Sequence, residues 1–265
     1  MAATAIKIKY QPICSIKDKR LSIYHIQQYH LAISVGNTSF RVCCIDRMTN
    51  RCLLLETYKL HHVHIIEHIS AIKQICQEHP FLAVKVWNTI TLCIENQQYT
   101  LIPKPLFQEK NTADYLKLAS SIGSNTVKHF VHPKLDVAVA FALDSSLLRW
   151  FQTTYDQASF YTMHQASSFI EVAFSCLKAQ RLVASPRMFI LAEPEHIHIT
   201  VIKKASILYY NRFPYSNSDE FLQYILIVMH TLNLDPNTSE LILGGNITKD
   251  SLAYRKACNY IRKIV

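Results

Sequence analysis

Twice along this chain, three strand-length segments follow one another and lead into a helix, a strand and a closing helix. In the first half "YHLAISV", "SFRVCCI" and "CLLLETYKL" alternate or run apolar, with the turn signals "GNT" and "DRMTN" between them. The next segment, "HHVHIIEHISAIKQICQEH", has helical spacing that puts Ile65, Ile69, Ile72 and Cys76 on one face, and "FLAVKVW" returns to strand periodicity. A strand "DVAVAFAL", a helix from about Ser145, a strand "ASFYTM" and the helix "QASSFIEVAFSCLKAQRL" complete this half. Alternation of this kind implies helices packed on mixed sheets, an α/β class.

The second half opens after "SPRM" with three further strands in "MFILAEPEHIHITVIKKASILYYNRFP". The helix "DEFLQYILIVMHTLNL" follows, with Phe221, Ile225, Val228 and Leu232 in one stripe, then the strand "ELILGG" and the helix "KDSLAYRKACNYIRKI". The order β-β-β-α-β-α is thus expected twice, in matching periodicity without residue identity, as an ancient duplication would leave it. Residues 1–28 read as an N-terminal arm, 29–184 as the first lobe and 185–265 as the second. A Pro-containing stretch at about 96–134, with a short helix around Ala113 to Ala119, reads as an inserted subdomain. No strand and helix follow "YIRKIV", so the second lobe is expected to be short or to close with only a few residues.

Composition narrows the function classes. With 49% hydrophobic residues, 18% charged and four glycines in 265 residues, the chain is neither disordered nor collagen-like. The opening residues alternate apolar and basic, unlike a secretory signal or lipid anchor, and "YILIVM" is far below the ~18 residues of a membrane span. A cytoplasmic location is expected. Eight cysteines without a C-x-x-C pair point to reduced thiols, and neighbours Cys43 and Cys44 should face opposite sides of a strand. A net charge of +9 favours an acidic partner, but "KIK", "KDKR" and "YRKACNYIRK" are dispersed and match no nucleic-acid-binding pattern. A solvated basic face is expected ahead of nucleic-acid binding.

The doubled β-β-β-α-β-α order resembles the duplicated ribonuclease-H-like architecture of the actin, sugar kinase and Hsp70 superfamily. More closely, "YTLIPKPLF" followed by "DYLKL", then "VAVAFAL", and "ILYYNRFPYSNSDEFLQYIL" leading to "LILGG" resemble a bacterial family known as domain of unknown function 3822, with an actin-like ATPase fold. That resemblance implies two phosphate-binding hairpin turns and a strand-end Asp that orients magnesium. In "SVGNT", Gly36, Asn37 and Thr38 keep the first turn, while Ser34 stands at the Asp position. A left-handed glycine in a plain hairpin turn explains Gly36 without any ligand.

The second turn, "ILAEPEHIHIT", departs further: Pro194 removes a donor, and Glu193 and Glu195 repel phosphate. "LILGGN" keeps Gly244, Gly245 and Asn246 between a strand and a helix, where the superfamily packs backbone against adenosine. The six residues Gly36, Asn37, Thr38, Gly244, Gly245 and Asn246 are therefore the expected vestigial nucleotide site, with no catalytic residue, cofactor or metal. "HHVHIIEH" also holds His64-x-x-Glu67-His68, the arrangement of inverted zinc peptidases, though 13 histidines make chance matches easy and no third ligand stands out. The expected function is a non-catalytic scaffold or adaptor for a protein partner. Residual ATP binding or weak phosphotransfer is the alternative, and a basic nucleic-acid-associated protein or a zinc hydrolase comes after it.

Overall fold

The computed structural model describes residues 10–60, 64–179 and 185–265. The chain divides into two compact units. The first comprises Met1–Leu101, Gln108–Phe130 and Val139–Gln165; the second comprises Ile102–Phe107, Val131–Ala138 and Ala166–Val265.

The first unit is built on a six-stranded sheet. Its strands are β1 (Cys14–Lys17), β2 (Tyr29–Gly36), β3 (Ser39–Asp46), β4 (Arg51–Lys59), β5 (Thr89–Glu95) and a last strand at Ser159–His164, in the order β1-β4-β3-β2-β5-last. The meander β2-β3-β4 is antiparallel, whereas β5 runs parallel to β2 and to the last strand. Period-2 patterning explains the faces: Leu31 and Ile33 of β2 and Phe40, Val42 and Cys44 of β3 are almost wholly buried in one core. Each such side chain contributes about 1.5–3 kcal/mol by leaving water. Helix α1 (Ile65–Glu78) covers that face with Ile69, Ile72 and Ile75. Ile65, expected in the same stripe, is 58% exposed, because α1 starts only there and His64 is its extended N-cap.

Two sequence expectations need correction. "FLAVKVW" forms no strand: Phe81, Leu82 and Trp87 are buried from an irregular segment, and the strand is β5, further on. His79 Nδ1 accepts the amides of Phe81 and Leu82 at 3.2 Å, so their N–H groups are satisfied without a ladder. The presumed irregular arm supplies β1 at the sheet edge. Residues 61–63 and 180–182, expected to be helical, lie outside the described residues.

"DVAVAFAL" does not join the six-stranded sheet. Between Glu95 and Ser159 come β6 (Tyr99–Pro103), α2 (Thr112–Lys117), β7 (Thr126–Val131), β8 (Val137–Leu143) and α3 (Ser145–Thr154), followed by β9, the Ser159–His164 strand. β8 is the centre of a three-stranded sheet ordered β6-β8-β7, and all its residues are buried, which accounts for its unbroken apolar run. Residues of these strands are shared out between the two units. Asp144 caps α3 by accepting the amides of Ser146 and Leu147 at 2.8 Å, so the acid directly before "SSLLRWF" fixes where the helix begins.

The second unit holds α4 from Ala166 (the helix spans Gln165–Ala179), β10 (Arg187–Ala192), β11 (His196–Lys203), β12 (Ser206–Pro214), α5 (Ser218–Thr231), β13 (Glu240–Gly245), α6 (Leu252–Tyr260) and β14 (Lys263–Ile264). Its five-stranded sheet is ordered β12-β11-β10-β13-β14, with β10, β13 and β14 mutually parallel. β11 is buried on both faces: Ile197, Ile199 and Val201 meet Phe221, Ile225 and Val228 of α5, while His198 lies near Phe169 of α4. The closing helix is shorter than its pattern suggested. α6 stops at Tyr260, and Lys263–Ile264 pairs instead with Glu240 and Leu241 of β13, so the second unit's sheet closes with a strand of two residues.

Candidate functional site

In the first unit the parallel register of β2 and β5 sets Gly36 beside Glu95, the last residue of β5. The Glu95 side chain is 6% exposed and fills the space against the β2–β3 turn. Ser34 Oγ donates to Glu95 Oε1, Arg41 Nη1 lies 3.2 Å from the same oxygen, and Ser39 Oγ reaches Oε2 at 3.5 Å. A Cβ on Gly36 would come within 2.7 Å of Oε2 and 2.8 Å of Ser39 Oγ. Gly36 thus leaves room for the carboxylate, and does not take the left-handed conformation expected of it: the glycines with positive φ among the described residues are Gly123 and Gly245. Asn37 and Thr38 are exposed at the tip.

The electrostatic result follows directly. Beside Ser34 stands a carboxylate from the neighbouring strand, already held by one guanidinium and two hydroxyls. A phosphate brought to this turn would meet that negative charge at short range, in a partly buried setting where water screens poorly. Glu95 was missed in the sequence because it is 61 residues from Ser34 and is delivered by a parallel register that no local pattern encodes.

In the second unit the β10–β11 turn is closed on itself. The Glu193 amide donates to the His196 carbonyl at 2.8 Å, Tyr215 Oη donates to the Glu193 carbonyl at 2.7 Å, and the Tyr215 amide donates to the Glu195 carbonyl at 3.0 Å. The Glu193 carboxylate lies 3.3 Å from Nε2 of buried His198, whose Nδ1 is 2.8 Å from Tyr210 Oη. Gly245 has φ +93°, and a Cβ there would stand 2.2 Å from the Ala192 carbonyl oxygen; the Asn246 amide donates to that same oxygen at 2.7 Å. This corner is packed backbone to backbone on the end of β10. Gly244 has open space around its Cβ direction, and Gly244, Gly245 and Asn246 are all exposed. The two halves of the expected site thus fall on different units, each with its own geometry.

The His64-x-x-Glu67-His68 string does not assemble as a helical ligand pair. His64 precedes α1 in extended conformation and is exposed, as is Glu67, while His68 is buried. Among the described residues no group of three or more His, Cys, Asp or Glu side chains is placed to hold a metal ion.

A second cluster was not legible at all. Glu56 of β4 lines a cleft of about 390 Å³ together with Tyr10, Lys17 and Phe81 among others. It accepts from Ser15 Oγ at 2.9 Å, Tyr58 Oη at 2.6 Å and His79 Nε2 at 3.1 Å. Because His79 Nδ1 accepts two amides, its proton sits on Nε2 and points at Glu56. Burial opposes the Glu56 charge, but the hydrogen bonds from His79 and Tyr58 outweigh it and hold the carboxyl at about 2. All donors are engaged, so the cluster ties β1, β4 and the end of α1 together.

These sheets define the class: the chain has an actin-like ATPase, ribonuclease-H-like fold. A crystal structure from Bacteroides thetaiotaomicron, described as a protein with actin-like ATPase fold and unknown function, matches with TM-score 0.78 and 20% identity over 92% of each chain. The PilM–PilN type IV pilus biogenesis complex matches with TM-score 0.58 and 11% identity over 89% of this chain and 88% of that one. The chain belongs to the family described as "Protein of unknown function (DUF3822)", which matches residues 18–264. No curated protein sequence matches it. No helix among the described residues is long and apolar enough to cross a membrane.

Proposed function

We propose that this chain is a non-catalytic adaptor of actin-like fold, which holds a segment of a partner protein and turns over no nucleotide. The observation that carries this reading is the buried Glu95 carboxylate, seated against the Gly36 turn and bound by Ser34, Ser39 and Arg41. The acidic, self-bonded Glu193-Pro194-Glu195 turn supports it from the second unit. Gly36, Asn37, Thr38, Gly244, Gly245 and Asn246 are in this view the remains of a nucleotide site. The structural relative that is described as part of a pilus biogenesis complex offers a precedent for this fold within a protein assembly.

The same reading takes the two sheets as copies of one duplicated β-β-β-α-β-α unit, spanning 29–184 and 185–265 with an insertion at 96–134. Support comes from the order β4-β3-β2-β5-β9 in one sheet and β12-β11-β10-β13-β14 in the other, with equivalent parallel pairs. Residual ATP binding is the competing reading, favoured by the open, exposed backbone at Gly244. Isothermal titration with ATP and magnesium decides between them. The adaptor reading expects no heat of binding, and affinity tighter than millimolar overturns it.

A further inference from the structure

Cys43 of β3 and Cys52 of β4 bring their Sγ atoms to 3.5 Å. A regular ladder would not do this. Cys43 pairs with Leu55, so its same-face diagonal neighbour on β4 would ordinarily be Leu53. The irregularity between Cys44 and Ile45 pairs Ile45 with Cys52, turns both Leu53 and Leu54 into the core, and leaves Cys52 on the Cys43 face. Cys52 is exposed and Cys43 half-buried, whereas Cys44 points to the opposite face and is 0% exposed.

We propose that Cys43 and Cys52 form a reversible disulfide that staples β3 to β4, with a small disulfide such as oxidised glutathione as the oxidant. About 1.5 Å of further approach separates the observed contact from a bond of ~2.0 Å, within reach of small side-chain rotations. Cys52, the more accessible, attacks first: its sulfur takes one glutathionyl group and releases one glutathione thiolate. Cys43 then attacks the Cys52 sulfur and expels the second glutathione, and the two cysteine protons pass to the released thiolates. One disulfide is formed and one is reduced. Burial and the neighbouring Cys52 push the Cys43 thiol up to about 12, so it makes a poor first nucleophile. Contact with its target compensates in the second, intramolecular step. Cys43 shares its face of β3 with Ser39 and Arg41, so the staple braces the strand that holds Glu95.

Trypsin reads the bond directly. Cleavage after Arg41, Arg47, Arg51 and Lys59 separates "VCCIDR" from "CLLLETYK" unless a disulfide joins them. After incubation of the full chain with oxidised glutathione and alkylation, the expected product is the joined pair, two hydrogens lighter than the sum and released by dithiothreitol. It should vanish in Cys43→Ser and in Cys52→Ser, the latter a change at an exposed position that leaves the core intact, and persist in Cys44→Ala. A joined pair that survives Cys43→Ser overturns the assignment. So does glutathione retained on Cys52 alone, or oxidation only between chains through Cys14, Cys176 or Cys258.

Discussion

Glu56→Gln removes one charge from the interior of the first unit while leaving an acceptor, and so separates the worth of the charge from that of its hydrogen bonds. The amide can present its oxygen to Tyr58 and His79 and its nitrogen to Ser15 Oγ, which can accept in turn. The lost charge assistance should cost about 2–3 kcal/mol near neutral pH. Glu56→Leu strands the Tyr58 hydroxyl and the His79 N–H, and should cost about 3–5 kcal/mol. The carboxyl is held at about 2 against its ordinary 4.5. At ~1.4 kcal/mol per unit this is about 3 kcal/mol of stability. Because the folded value is the depressed one, that stability is whole above 4.5 and is lost as pH falls towards 2. Urea unfolding followed by tryptophan emission measures it cleanly, since both tryptophans, Trp87 and Trp150, lie in the first unit. Wild type should lose about 3 kcal/mol more than Glu56→Gln between pH ~5 and ~2. Parallel pH curves for the two proteins, or a leucine variant no worse than the glutamine one, would refute the reasoning.

Further outcomes follow from other contacts. Gly245→Ala drives a Cβ to 2.2 Å from the Ala192 carbonyl at φ +93°; it should cost at least about 3 kcal/mol in thermal unfolding followed by circular dichroism. Gly123→Ala, at φ +59° with open space, should cost only about 1 kcal/mol in the same assay. Tyr155→Phe loses the buried hydrogen bond to the Leu82 carbonyl and should cost about 1–1.5 kcal/mol, read by urea midpoint. Glu95→Ala leaves Arg41 and two serine hydroxyls facing a vacated anion-sized space, so inorganic phosphate should bind more tightly by phosphorus NMR. Unchanged phosphate affinity would show that the carboxylate is not what keeps anions out.

The meanders β2-β3-β4 and β10-β11-β12 could be read from period-2 alternation between turn residues, and α1 and α5 from apolar stripes, because these patterns are local. β5 could not. Phe81, Leu82 and Trp87 bury themselves from an irregular segment rich in apolar residues, and they drew the assignment away from "TITLCIE". β14 was hidden inside an apparent helix because two residues carry no period. At the site, the Gly36 turn was visible, whereas Glu95 depends on a pairing 59 residues apart along the chain. The Glu56 cluster likewise joins Ser15, Glu56 and His79, which nothing in their local sequences connects.

The fit between Gly36 and Glu95 bears on ancestry. One position supplies the room and the other the group that fills it, so neither can change freely while its counterpart stays. Across the lineage the two sites should co-vary: where the turn carries a larger side chain, the strand end should carry a shorter one. A variant with an acid at position 34 would first have to give up the one at 95, since the two charges would then compete for the same guanidinium.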